Sequence, residues 1–226
     1  MKKLIGFFIL LLFVGVMNSA VAATPPVLSL QYLPILNDEM DTYWKLIPDR
    51  RFPPALVDQE SNWKINARLR TEREDGCGFG QFTKAYNKDG SIRFDALTEA
   101  KQLDPSLAGW TWKDCSNAKY QLRAVVLKTK SNYRDCSVLM GDPEEALNCV
   151  SARYNGGAGS VNTRIRKCRA TPGCNPKVWK DNLERQCPQS NTKVKGYGES
   201  FCQINSKYPG RLRDRMPKFT GYMRDL

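Results

Sequence analysis

Hydrophobic positions cluster into short runs at helical spacing, and few stretches alternate. The clearest run opens at Pro53-Pro54, where missing N–H groups suit a first helical turn, and continues through Ala55, Leu56 and Val57. Glu60 follows four residues after Leu56 and three after Val57, so the spacing predicts a helix over 53–60 with all three on one face. Upstream, the proline-marked segment Thr24 to Leu36 reads as extended. Asn37-Asp38-Glu39 reads as the start of a helix that runs through Trp44 and Ile47 and ends at Pro48. Downstream, the charged text from Asn62 to Gly76 reads as a flexible loop, with a second helix beginning near Gln81. A short helix is expected over 94–100, leading to Trp110-Thr111-Trp112, whose indoles are expected in the core. Leu122, Val125, Val126 and Leu127 predict a buried helix over 117–133. Asp142-Pro143-Glu144-Glu145 carries a capping acid, a first-turn proline and acids favourable to the helix dipole. It starts a helix reaching Tyr154 and stopped by Gly156-Gly157. No stretch demands a sheet, so the expected class is mainly α with at most small β-hairpins.

The N-terminus follows a different pattern. Lys2 and Lys3 precede the apolar run Leu4–Val16, 13 residues long and short of the roughly 18–20 that span a bilayer. Ala20-Val21-Ala22 places small residues where a signal peptidase reads, so residues 1–22 are expected to be a secretory signal; a retained anchor is the alternative. The rest, 23–226, is long enough for one domain with a substantial core. The formal charge of +12, less the two lysines of the signal, leaves +10, which attracts polyanions without specifying one.

Composition then narrows the chemistry. All eight cysteines lie beyond residue 22, an even number that predicts four disulfides and a periplasmic or secreted protein. Among the 105 possible pairings, only Cys168 with Cys174 is singled out, by the turn-forming Thr171-Pro172-Gly173 between them. There is no histidine and no CxxC pair, so Ser-His-Asp hydrolysis, Cys-His peptidase chemistry and His-ligated zinc are all excluded. No metal or cofactor is expected, and an enzyme built from these residues would rely on carboxylates, tyrosines or lysines. Glu60 shares a helix face with Leu56 and Val57, where desolvation would raise its pKa toward proton donation; by itself it reads equally as an ordinary helix-end acid facing water.

Three fragments add a resemblance. Glu60-Ser61, Gly78-Phe79-Gly80-Gln81 and Tyr154-Asn155-Gly156-Gly157 occur in the order found in the soluble lytic transglycosylases, relatives of goose-type lysozyme that cut peptidoglycan glycan strands. The region that resembles this family covers about residues 55 to 205. It implies a lysozyme-like fold and Glu60 as a single catalytic acid and base. It also implies substrate-binding roles for Ser61, Gln81, Tyr154 and Asn155, with a further family tyrosine matched to Tyr197. The implied partner is peptidoglycan, met by a monomer with no nucleic acid and no membrane attachment once the signal is removed. The 21 residues from Glu60 to Gln81 exceed the family's spacing, and Gly80 stands where the family carries a bulky side chain. Glu72, Glu74 and Asp75 leave open a second carboxylate, as in a goose-type muramidase that uses water. A non-catalytic wall-binding or assembly protein is the remaining alternative.

Overall fold

A computed structural model describes residues 24–193 and 198–224. The chain is mainly helical, with one small antiparallel sheet. The expected signal segment lies outside the described residues. Among those described, no helix is long and apolar enough to cross a membrane.

Helix α4 (Ala118–Met140) is the axis of the fold. Leu122, Ala124, Val125 and Val126 are all fully buried, so this helix is covered on several sides. Helix α1 (Val27–Tyr43) packs along it, and this corrects two expectations. The segment expected to be extended is helical despite Pro34 in its interior, and the helix expected to start at Asn37 is already in its third turn there. Leu33, Leu36 and Met40 recur at helical spacing and are buried, so packing against α4 outweighs the hydrogen bond that Pro34 removes. Arg123 of α4 and Glu39 of α1 add an ion pair of 2.8 Å.

Helix α2 (Phe52–Ser61) forms as its prolines predict, and every residue from Phe52 to Val57 is buried. The segment that follows departs from the expected loop and helix. It folds into β1 (Arg68–Arg70), β2 (Glu74–Cys77), β3 (Phe82–Tyr86) and β4 (Ile92–Asp95), a meander of consecutive antiparallel hairpins. These strands are three to five residues long, too short to show a period. Their charges pair across strands instead, Arg68 with Asp75 and Arg93 with Glu74. Gln81 therefore sits in a tight turn before β3, where a helix was expected to begin.

Helix α3 (Ala96–Leu103) is capped by Asp95, whose carboxylate accepts from the Leu97 and Thr98 N–H groups at 3.1 Å. Trp110 is buried as expected, and Trp112 packs half-buried against the core. Helix α5 (Pro143–Gly156) has Asp142 as its cap, accepting from the Glu145 N–H at 2.9 Å. Helices α6 (Ala158–Arg169) and α7 (Phe201–Arg215) complete the domain.

Four disulfides form: Cys77–Cys115, Cys136–Cys149, Cys168–Cys174 and Cys187–Cys202. The predicted Cys168–Cys174 pair is among them. Cys77–Cys115 ties the sheet to the approach of α4, and Cys136–Cys149 staples α4 to α5. Beyond α6, residues 170–193 have little regular structure, and Arg164 holds them. This guanidinium is fully buried and donates to the carbonyls of Leu183 at 2.8 Å and Glu184 at 2.9 Å, and to Asn205 at 3.0 Å. Burial pulls its pKa down to about 10.

Candidate active site

Helix α2 is buried for most of its length and then stops abruptly. Asn62 caps it in the left-handed region at φ 50°, and Trp63 follows at φ 61°. Trp63 is fully buried against Phe79 and Phe219, so the chain is pinned directly beyond Glu60-Ser61. Gln81, across the cleft, is left-handed too at φ 45°. Strained backbone persists only where surrounding structure over-determines it, and such positions cluster at functional sites.

Glu60 is half-buried and lines a polar cleft of about 420 Å³ together with Asp58, Ser61, Gln81, Arg215 and Lys218. The Tyr208 hydroxyl, on α7, donates to Glu60 Oε1. Among the described residues nothing hydrogen-bonds Oε2, which leaves that oxygen for the cleft. Burial pushes the Glu60 pKa up to about 7, against the bond from Tyr208 and the charge of Lys128, which both pull it down. A carboxyl group poised there is divided between acid and base forms at neutral pH, as a group that must donate and then accept a proton requires.

Tyr154 stands on α5 with its hydroxyl donating to the Gly80 carbonyl at 2.8 Å. Burial and the neighbouring Glu60 raise its pKa well above the ordinary tyrosine range, so it stays protonated. This contact explains Gly80, since a Cβ there would lie 2.5 Å from the Tyr154 hydroxyl. Gly78 is equally constrained: its φ is +75°, and a Cβ would meet the Gln121 amide at 2.2 Å. Buried Gln121 accepts from the Phe79 N–H and so clamps the glycine turn onto α4.

The remaining predicted residues are distributed unevenly. Ser61 lines the cleft, with its hydroxyl donating to the Val57 carbonyl at 3.0 Å. Gln81 also lines it, with its amide nitrogen donating to the carbonyls of Gly78 at 3.0 Å and Ala67 at 3.3 Å. Asn155 is exposed, away from that lining, and accepts from Asn205 at 3.1 Å. Tyr197 lies outside the described residues. Of the three acids held open as a second carboxylate, none lines the cleft: Glu72 is exposed, Glu74 pairs with Arg93, and Asp75 is taken by Arg68. The Arg68 guanidinium holds the Asp75 carboxyl below its usual range.

Sequence reasoning missed four residues here. Tyr208 touches Glu60 from 148 positions away. Lys128 sits with its ammonium 4.8 Å from the Tyr154 ring centre, and burial lowers its pKa. Arg215 and Lys218 reach the cleft from α7 and the turn after it, where Lys218 Nζ lies 2.9 Å from the buried Asp58. The one local signal was Tyr208 and Arg215 standing seven residues apart, which puts them on one helical face.

No protein-family model matches this chain, and no curated protein does. Fold and site define its class: a mainly helical, disulfide-linked chain with, among the described residues, one carboxyl group of raised pKa set beside a polar cleft.

Proposed function

We propose that this protein is a peptidoglycan lytic transglycosylase acting in the periplasm or outside the cell. The observation that carries the reading is Glu60: one carboxyl group with a pKa of about 7, lining the cleft, anchored through Oε1 by Tyr208 and with no hydrogen bond to its other oxygen among the described residues. In this mechanism Glu60 protonates the oxygen bridging N-acetylmuramic acid and N-acetylglucosamine as the C1–O bond breaks. The glycosyl centre becomes oxocarbenium-like. The resulting Glu60 carboxylate then takes the proton of the sugar's own 6-hydroxyl while that oxygen bonds to C1. A 1,6-anhydro ring closes, Glu60 is protonated again, and no water is consumed.

A partly desolvated acid fits the first step, because desolvation favours its neutral form. Tyr208 fits the second, because its hydroxyl stabilises the carboxylate that forms. Asp58 is the other carboxylate lining the cleft among the described residues. Its side chain is 1% exposed and already paired with Lys218, which supports a single-acid reaction. The four disulfides fit an oxidising compartment.

Mass spectrometry of glycan products tests the proposal. Products ending in 1,6-anhydromuramic acid are expected. Products heavier by one water, about 18 Da, would assign the reaction to a water-using muramidase. Intact strands in the presence of folded protein would assign the cleft to a non-catalytic wall-binding role.

A further inference from the structure

We propose that Arg215 and Lys218, gathered on Asp58 in the wall of the cleft beside Glu60, form a subsite for a carboxylate carried by the glycan strand. The inference rests on the peptidoglycan reading and adds to it the feature of the strand that is recognised.

The geometry begins on α7. Tyr208 and Arg215 lie two helical turns apart on one face, so the helix that positions the Glu60 partner also delivers a guanidinium to the same cleft. The short turn Met216–Phe219 then brings Lys218 around. Both cations converge on one oxygen of Asp58, Lys218 at 2.9 Å and Arg215 at 3.7 Å. Two cations share one carboxylate, which leaves one positive charge in surplus beside the acid. Arg68 also lines this cleft but is held by Asp75, with its Nε 2.6 Å from that carboxylate.

Arg215 is the unsatisfied member. At 3.7 Å its contact with Asp58 is an ion pair too long for a hydrogen bond, and its Nε is buried with no hydrogen-bond partner among the described residues. Lys218 makes the shorter contact and ties the 216–219 turn to α2. Among the residues lining the same cleft, Gln59 Oε1 is buried and likewise has no hydrogen-bond partner among the described residues. A guanidinium and an amide side chain lining one cleft, each with a hydrogen-bonding atom left unmatched among the described residues, suit a ligand carrying a carboxylate and an amide N–H together. Peptidoglycan offers that pairing from two sources. A strand stripped of peptide has the free lactyl carboxyl of muramic acid beside its N-acetyl group, and a strand with stems has peptide carboxylates beside peptide N–H groups.

The test is equilibrium binding, measured calorimetrically in a Glu60→Gln background common to the native and the Arg215→Gln cleft, so that no strand is cleaved during the titration. Four probes are used: muramic-acid oligosaccharides with and without stem peptide, each with carboxyl groups free or converted to methyl amides. A charge-assisted contact predicts that blocking weakens binding to the native cleft by about tenfold for one or both strand types. The strand type affected identifies the lactyl or the peptide carboxylate as the source. Arg215→Gln, which keeps Lys218 on Asp58, brings the free and blocked affinities together, with thermal melting as the check on folding. Equal affinity of free and blocked strands for the native cleft would overturn the subsite, and so would full discrimination retained in folded Arg215→Gln protein. Discrimination without cleavage by the wild-type protein would overturn the transglycosylase reading and leave the subsite standing. Cleavage without discrimination would do the reverse.

Discussion

Helix α2 has a hollow at each end, and the two are equal in size at about 420 Å³. They differ in how their polar groups are satisfied. The hollow at the N-terminal end is walled by Phe52, Leu147, Leu212 and Met216, with prolines around them. Its charges pair at the rim, Arg51 with Asp49 at 2.6 Å and Arg213 with Glu144 at 3.0 Å. Its buried hydroxyl, on Ser151, donates to the Leu147 carbonyl at 2.8 Å. The hollow at the C-terminal end is lined by a carboxyl displaced to a pKa of about 7 and by Arg215 and Gln59, whose Nε and Oε1 have no hydrogen-bond partner among the described residues. Volume therefore does not mark the site; groups that folding leaves perturbed or unsatisfied do.

The contrast breaks most sharply at Glu60. Glu60→Gln keeps the shape but removes the proton, so glycan turnover is expected to fall by roughly 10²–10⁴ while circular dichroism stays native. The opposite hollow should answer in stability alone. Phe52→Ala is expected to destabilise by about 3–5 kcal/mol in denaturant titration, with turnover per folded molecule unchanged. A result in which Phe52→Ala abolished turnover at full folding would erase the distinction between the two ends.

Stability against pH sharpens it further. Glu60 is held above its ordinary value of 4.5, so the native state favours its protonated form. The associated stability is fully present below about pH 4.5 and is lost as pH rises through about 7. The difference amounts to about 3 kcal/mol in the native protein and should vanish in Glu60→Gln, which becomes the more stable of the two at pH 8. Calorimetric melting across pH 4–8 measures this. Tyr208→Phe is a smaller change. Without its hydroxyl the Glu60 carboxylate is less stabilised, so the alkaline limb of the rate profile, expected near pH 7, should move upward while kcat falls about tenfold. Smallest of all, Arg213→Gln removes an exposed rim pair and should change stability by less than about 1 kcal/mol, read from the same melting curves.

How much of this was legible depended on how local the determining interaction was. The 53–60 helix and the helix capped by Asp142 were readable because prolines, caps and apolar spacing act within one or two turns. The Cys168–Cys174 bridge was readable for the same reason, spanning 6 residues with a turn between. The sheet was not: its strands are shorter than the window in which alternation shows, and charges stabilise them across neighbouring strands. Helix α1 was misread because a local rule about proline was applied where Leu33, Leu36 and Met40 had α4 to pack against.

By itself the sequence determined a helical, four-disulfide chain without imidazole chemistry, with Glu60 on the same helix face as Leu56 and Val57. Only the tertiary structure decided what that burial meant. Tyr208 and Lys218 reach the α2 acids across 148 and 160 residues. Glycines 78 and 80 became obligatory through Gln121 and Tyr154, on helices far along the chain. The physical reason is that desolvation and hydrogen bonding depend on which atoms surround a group in space. Local sequence specifies only the helix that carries Glu60; the pKa of that carboxyl is set by side chains that the fold brings to it from elsewhere in the chain.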